Sequence, residues 1–277
     1  MTVQPKKPLG QHFLTDPRIC RKIVRFAAIR PGDAVIEIGP GTGLLTQSLL
    51  AAAERVTALE IDSHLVRLLR AKAGNDPAFA GLAVVEADVL KAGWPKILDS
   101  AVSHSQSGRN AVAQDGRIMI VGNLPYNIGT RIVKRMIPWK NRFHSFTFML
   151  QKEVADRICA PTGSKDYGSL SVGIAQHFAR VSGFTVAAGS FRPPPKVTSA
   201  VMKLIPDLQA RPPAEEACFE KLVRRSFQHR RKTLANNLKG FDGVRDWSAR
   251  LSECGIAPHS RPQQITLDQY RCLCQML

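Results

Sequence analysis

The sequence predicts an α/β fold: a doubly wound, mostly parallel sheet, followed by a small all-helical C-terminal domain. Three observations carry the prediction. Short runs rich in β-branched residues alternate with stretches of helical periodicity. A cluster of glycines comes directly after the first such run. From about residue 206, "PDLQARPPAEEA" reads as a Pro-rich linker, and the chain beyond it is helical. The 277 residues hold one large domain and an appendage, placed at 1–205 and 206–277, with 1–30 as a basic N-terminal segment and helix.

The elements run in order. "TDPRICRKIVRFAAI" is a helix with Asp16 as N-cap and Pro17 at the first helical position, where its missing N–H costs nothing. Ile19, Ile23, Phe26 and Ala27 form its apolar face, and Arg18, Arg21, Lys22 and Arg25 recur at helical spacing on another. "AVIEIG" is the first strand, followed by glycines and the helix "LLTQSLLAAA". "RVTALEI" is the next strand, with a helix from Ser63 through about Ala73. "LAVVEA", "RIMIVG" and "SFTFML" continue the series, and "FRPPPKVTSAVMKLI" is a rigid extended segment running into a final strand. The polar, small-residue stretch between Asp99 and Gly116 reads as a flexible surface loop. In "FEKLVRRSFQHRRKTLANNLKG", Phe219, Leu222, Val223, Phe227 and Leu234 form the core side of a helix on which Lys221, Arg224, Arg225 and Lys232 line up.

Composition narrows the function classes. Hydrophobic residues make up 44% and charged residues 22%, as in soluble globular proteins. No apolar run approaches the roughly 18 residues of a membrane span. "MTVQPKKPLGQHFL" has no hydrophobic signal core, so a cytoplasmic protein with no membrane partner is expected. The six cysteines, at 20, 159, 218, 254, 272 and 274, include no CxxC pair and read as reduced thiols, with no metal site. Thirty-nine Lys and Arg against 22 Asp and Glu give a net charge of +17. A positive potential attracts polyanions. Solubility alone would also account for such charge, but its arrangement in two helical stripes points to a phosphate-backbone footprint.

The glycine turn is Gly39-Pro40-Gly41-Thr42-Gly43. Glycines at a strand-to-helix turn let backbone approach a ligand at the carboxyl edge of a sheet. Glu60, in "ALEID" at the end of the next strand, sits where it can accept both hydroxyl hydrogens of a ribose. Asp88, in "VEADVL" after a third strand, is placed to meet an adenine amino group. These motifs point to an adenosine-containing cofactor. The dinucleotide pattern would need glycine at 44, which is Leu44, and no Lys-Ser/Thr phosphate loop is present, so S-adenosylmethionine fits better than NAD or ATP.

With "GQHFL", "EIGPGTGLLT", "LEID", "GNLPYNI", "MLQKEVADR", "YGSLSV", "FRPPPKVTSAV" and "RRKTLANNL" in order, the chain resembles the 16S ribosomal RNA adenine dimethyltransferases of the KsgA/RsmA type. The resemblance runs from about residue 6 to residue 240, and "NLPY" with "FRPPPKV" and "QKEVADR" is its specific part. It implies a Rossmann-like S-adenosylmethionine-dependent methyltransferase domain and a small helical C-terminal domain that binds RNA or the ribosome. The implied reaction places two methyl groups on N6 of each of two adjacent adenosines near the 3′ end of small-subunit rRNA. S-adenosylhomocysteine is its product and a monomer is expected. The implied cofactor contacts are His12, Leu14, Gly39, Glu60, Asp88 and Asn123, completed by Gly41 of the turn and Ile61 beside Glu60.

Chemistry gives "NLPY" the catalytic part. Adenine N6 is a poor nucleophile because its lone pair is delocalised into the ring. Acceptors for both its hydrogens, the Asn123 side-chain oxygen and the Leu124 carbonyl, would hold the amine near sp³. Pro125 limits backbone freedom, and Tyr126 offers a face on which a base taken out of its stack can lie. Phe191 of "SFRPPPKV" is either a second stacking surface or a core aromatic. The phosphate-binding set is Arg18, Arg21, Lys22, Arg25, Lys221, Arg224, Arg225 and Lys232. Two readings stay beside this one: a 23S rRNA adenine methyltransferase, and a basic ribosome-assembly factor in which methylation is secondary.

Overall fold

"AVIEI" is apolar on both faces apart from one glutamate, the pattern of a strand covered by helices on either side. In the computed structural model it is β2 (Ala34–Ile38), and every one of its residues is buried. The structure describes residues 4–6, 9–53, 55–106, 117–209, 213–244 and 246–277. β2 pairs in parallel with β3 (Val56–Glu60) and with β5 (Ile118–Asn123). β3 pairs in parallel with β4 (Leu82–Glu86), and β5 with β6 (Ser145–Gln151). β9 (Ser199–Pro206) runs antiparallel to β6, giving a seven-stranded sheet of order β4-β3-β2-β5-β6-β9-β7. A second, two-stranded pairing joins β1 (Phe13–Leu14) to β8 (Phe191–Arg192).

The edge strand β7 (Phe178–Val186) has no counterpart in the sequence reading. Its sequence, "FARVSGFTV", puts Arg180, Ser182 and Gly183 among the apolar residues, and only its two ends are buried. That is how a solvent-facing edge reads.

The helices begin where the caps dictate. α1 (Pro17–Ala27) starts with the Asp16 side chain accepting from the Arg18 N–H and with proline in its first turn. α2 (Leu44–Ala53) and α3 (Ser63–Asn75) come after β2 and β3. α4 (Trp94–Gln106) corrects the expected surface loop: residues 99–106 are helical, and 107–116 lie outside the described residues. α5 (Gly129–Met136) comes after β5, and α6 (Lys152–Cys159) and α7 (Ser169–Ala175) precede β7.

Packing divides the chain into Met1–Ala155 with Val181–Pro206, and Asp156–Arg180 with Asp207–Leu277. The segment 156–180, which the sequence reading leaves in the first domain, therefore packs with the helical part. That part holds α8 (Pro213–Ser226), α9 (Leu234–Leu238), α10 (Ser248–Glu253) and α11 (Leu267–Gln275). Its core gathers Tyr167, Phe219, Leu222, Leu234, Trp247 and Tyr270. The Tyr270 hydroxyl donates to the Pro262 carbonyl, 3.0 Å away, so burying it costs little. Cys254 and Cys272 are bonded to each other, their Cα atoms 5.8 Å apart, which corrects the expectation of six thiols. Eighteen residues of chain separate the pair, and only the approach of α11 to the end of α10 reveals it.

Asp33 and Arg117 tie the amino ends of β2 and β5. Arg117 Nε donates to Asp33 Oδ1 at 2.9 Å, Nη2 reaches Oδ2, and Nη2 also donates to the Ala28 carbonyl at 3.1 Å. Both side chains are largely shielded, at 18% and 6% exposure, so loss of one strands the other charge. Arg117→Ala is expected to cost about 2–4 kcal/mol of unfolding free energy, measured by denaturant titration. A loss below about 1 kcal/mol would show the pair to be a dispensable surface contact.

Candidate functional site

The carboxyl ends of β2, β3 and β5 share one edge, and the glycine turn opens it. Gly39, Gly41 and Gly43 have φ of +69°, +58° and +91°. A Cβ on Gly41 would lie 2.9 Å from the Phe13 ring, so the turn needs glycine there for space as well as for its dihedral. The turn is also tied from α3: Lys72 Nζ donates to the Thr42 carbonyl at 2.7 Å.

Two carboxylates lie under this turn. Glu60, only 5% exposed, accepts from the N–H groups of Ile61 and Asp62 at 2.9 Å each through Oε1, and from Gly41 at 3.3 Å through Oε2. Burial raises its pKa even so, with the three N–H groups pulling the other way. Glu37, which sequence reasoning missed, is the other. The Thr46 hydroxyl donates to its Oε2 at 2.6 Å, and its buried Oε1 has no partner. Burial pushes the Glu37 carboxyl up to about 8. Its signal in the sequence was an acid inside an otherwise apolar strand. Next to Glu60, the Ile61 side chain is 50% exposed, and Asp88 accepts from the Leu90 N–H at 2.9 Å.

The "NLPY" turn closes β5. The Leu124 N–H donates to the Met149 carbonyl at 3.0 Å. Asn123 Nδ2 donates to the His12 carbonyl at 3.0 Å. A carbonyl can only accept, so this bond fixes the amide's orientation and leaves Oδ1 as its acceptor end. Tyr126 is half-buried and its hydroxyl is bonded to that of Ser199.

The wall opposite comes from Lys6 and residues 9–14. Lys6 Nζ meets Asp62 at 2.7 Å and Gln11 Nε2 meets its other oxygen at 3.2 Å. His12 Nδ1 donates to the Pro193 carbonyl at 2.8 Å, and its ring stacks on Tyr126.

These walls enclose a cleft of about 960 Å³, open water included. His12, Leu14, Gly39, Gly41, Glu60, Ile61, Asp88, Asn123, Leu124, Pro125 and Tyr126 all line it, so the cofactor and catalytic sets read from the sequence meet in one place. Phe191 does not. It is 4% exposed and packs in the core cluster that includes Leu14 and Val121. The ring beside Tyr126 is that of His12.

Arg18, Arg21, Lys22 and Arg25 are exposed on α1, with Lys22 Nζ lying 4.0 Å from the Phe184 ring centroid. The second stripe needs correction, because α8 ends at Ser226 and α9 begins at Leu234. Lys232 is therefore in the intervening turn and not in line with Lys221, Arg224 and Arg225. Buried Asn237 holds that turn, accepting from the His229 N–H at 2.9 Å and donating to the His229 and Thr233 carbonyls at 3.1 and 3.0 Å. The turn leaves Arg230 and Arg231 exposed beside Lys232, two cations the helical reading passed over. Arg225 is partly engaged, donating to Gln228 Oε1 at 2.6 Å and to the Lys239 carbonyl at 3.2 Å.

An acid at the end of the strand after the glycine turn is how α/β sheets hold a nucleoside cofactor, and the turn at Asn123–Tyr126 brings an amide and an aromatic ring to the same cleft. The fold and cleft thus define the class of base-modifying, nucleoside-cofactor enzymes. Within it, the chain belongs to the ribosomal RNA adenine dimethylase family, whose model matches residues 3–277. It is 39% identical over 270 residues to ribosomal RNA small subunit methyltransferase A of Acinetobacter baylyi, covering 97% of this chain and 90% of that protein. The protein of the same name from Acidithiobacillus ferrooxidans is 43% identical over 267 residues, covering 95% and 90%. Among solved structures the chain is similar to the 23S rRNA methyltransferase ErmE, with 26% identity, a TM-score of 0.67 and coverage of 95% and 98%. It shares its fold with a dimethyladenosine transferase from Plasmodium falciparum, at 24% identity, a TM-score of 0.72 and coverage of 95% and 96%.

Glu37 makes stability pH-dependent. A carboxyl whose folded pKa lies above its unfolded value holds its proton more tightly when folded. Its contribution is complete below the unfolded value of 4.5 and is lost as pH rises to about 8. Glu37→Gln keeps an oxygen for the Thr46 hydroxyl and is expected to flatten the fall in Tm across that window. Calorimetry at several pH values checks it; an unchanged slope in the variant would count against a protonated Glu37.

Proposed function

We propose that this chain dimethylates N6 of two adjacent adenosines near the 3′ end of 16S rRNA, within the small ribosomal subunit or its precursor, as a cytoplasmic monomer using S-adenosylmethionine. Family membership supports the reaction class. The observation that carries the assignment of the site is the Asn123 amide, turned by the His12 carbonyl so that Oδ1 is left to accept.

The cleft suits the cofactor. Glu60, anchored by three backbone N–H groups, takes ribose hydroxyls, and Ile61 offers an exposed apolar face beside it. Asp88 takes the cofactor's adenine amine. Leu14, Gly39 and Gly41 shape the floor, and the His12 backbone and the unpartnered Glu37 Oε1 complete the polar lining, the latter suited to a cationic group. Bound S-adenosylmethionine supplies an electrophilic methyl group on a sulfonium. In the first transfer Asn123 Oδ1 and the Leu124 carbonyl accept the two N6 hydrogens of the target, which localises the nitrogen lone pair and offsets the positive charge it acquires; in the second they hold the one hydrogen that remains, and each proton released passes to water. Pro125 keeps those acceptors in place, and Tyr126 carries the base on its face. Positioning provides most of the acceleration, since the chemistry needs no strong base. The exposed cations of α1 and of the helical unit (Lys221, Arg224, Lys232, with Arg225 partly engaged) bind backbone phosphates.

Asn123→Ala is expected to abolish dimethyladenosine in small-subunit rRNA, mapped by mass spectrometry in cells carrying that variant alone, while the purified variant keeps its RNA affinity. Replacing Lys221, Arg224 and Lys232 with Ala should instead weaken binding. It should also make log K against log salt shallower by roughly 0.7–0.9 for each phosphate no longer neutralised. Loss of RNA binding in both variants alike would refute this separation of roles.

For Tyr126 the aromatic face matters. Tyr126→Ala is expected to lower kcat/KM by roughly ten- to a hundredfold, the worth of about 1–3 kcal/mol of base stacking. Tyr126→Phe, which gives up only the bond to Ser199, should keep most of it. Equal losses in steady-state assays, with matched thermal melts, would make the hydroxyl the functional group.

A further inference from the structure

We propose that the His12 imidazole is a removable placeholder for the target base: it covers the Tyr126 face that the flipped adenine takes, and the base enters by displacing it. This rests on the reading of Tyr126 as the stacking platform. The two ring centroids are 5.3 Å apart, with planes inclined by 24°. That is the separation of one aromatic pair, and a third ring between them would need two such separations in series, about 9 Å at the least. The face is closed while His12 stays.

Both residues line the cleft, and the His12 carbonyl holds the Asn123 amide, so the imidazole sits beside the acceptor that N6 must reach. The backbone beneath it is fixed. Phe13 and Leu14 pair with Arg192 and Phe191, and the His12 carbonyl is committed to Asn123. The side chain itself has one polar tether, from Nδ1 to the Pro193 carbonyl. Rotation about its Cα–Cβ bond breaks that hydrogen bond and one ring stack and leaves the pairing of β1 with β8 untouched. Tyr126 keeps its orientation meanwhile, because its hydroxyl is held by Ser199. A purine covers more of the tyrosine ring than an imidazole does, whereas a pyrimidine covers little more. The placeholder therefore favours purines.

The sign of one kinetic constant tests this. At saturating S-adenosylmethionine, His12→Ala is expected to lower KM for RNA roughly three- to tenfold, the equivalent of one aromatic pair. His12→Asn keeps an N–H for the Pro193 carbonyl but cannot stack, and should lower KM in the same way; it also serves if the alanine variant folds poorly. His12→Phe, which still stacks, should not lower it. A raised KM in the Ala and Asn variants would make His12 a second support for the base, and an unchanged KM would make it a bystander; either overturns the placeholder. Failure of the underlying reading looks different: Tyr126→Ala would then leave kcat/KM intact. With the reading sound and the placeholder present, His12→Ala added to Tyr126→Ala should change KM no further.

Discussion

Parallel pairing in one register decides where everything else can be. Ile38 lies opposite Leu59 and Gly122, and Glu60 lies opposite Glu86, so β2, β3, β4 and β5 deliver their carboxyl ends to one edge. A slip of one residue in any of them would turn its side chains to the other face. β2 and β3 are buried on both faces, so no slip merely trades core for solvent. The register is held by packing on two sides, and the cleft inherits that rigidity: the glycine turn, Glu60, Asp88 and Asn123 all lie at, or within a few residues of, the end of a strand whose position is fixed.

What the sheet does not supply is a front wall, and the chain makes one from its beginning. Asn123 reaches His12 across 111 residues, and His12 reaches Pro193 across 181. Lys6 and Gln11 fasten the same segment to Asp62, just after Glu60. These side-chain bonds, the His12–Tyr126 stack and the pairing of β1 with β8 hold together stretches remote in sequence. The strands beneath are cross-linked by full ladders of backbone hydrogen bonds, whereas this wall is fastened chiefly by side chains and the short pairing of β1 with β8.

Elements governed by local chemistry were legible in the sequence. α2 occupies the residues "LLTQSLLAAA", and Asp16 caps α1 because its side chain needs only the N–H two residues on. Much of the cleft was also legible: Gly39, Gly41, Glu60, Asp88 and Asn123 sit at or just after strand ends marked by glycine, acid or amide, whereas Glu37 lies inside its strand and was missed. The rest depended on contacts that spacing does not encode. Phe191 reads the same as a stacking ring or a core ring until β8 pairs with β1 and buries it. Lys232 keeps helical step with Arg225 in the sequence, but the buried amide of Asn237 takes the His229 N–H and the backbone leaves the helix before it. Cys254 and Cys272 become partners only when α11 packs down. Arg117 likewise gave no sign, because its partner Asp33 is 84 residues away.

The chain separates its charges by depth. Its surplus is +17, and the cations of α1 together with Lys221, Arg224 and Lys232 lie on the surface, where water screens them and a phosphate backbone can reach them. The cleft gathers acids instead: Glu37 and Glu60 are buried within it and Asp88 lies at its edge. Burying carboxyls is costly, and the raised pKa of both glutamates is that cost made visible. Backbone N–H groups offset part of it at Glu60, whereas one oxygen of Glu37 is left bare. A positive charge placed against that oxygen would interact far more strongly in so poorly solvated a cleft than a surface pair does. A polyanion on the surface and a cation in the cleft would not compete, because the field each meets is set within a few ångströms of where it lies.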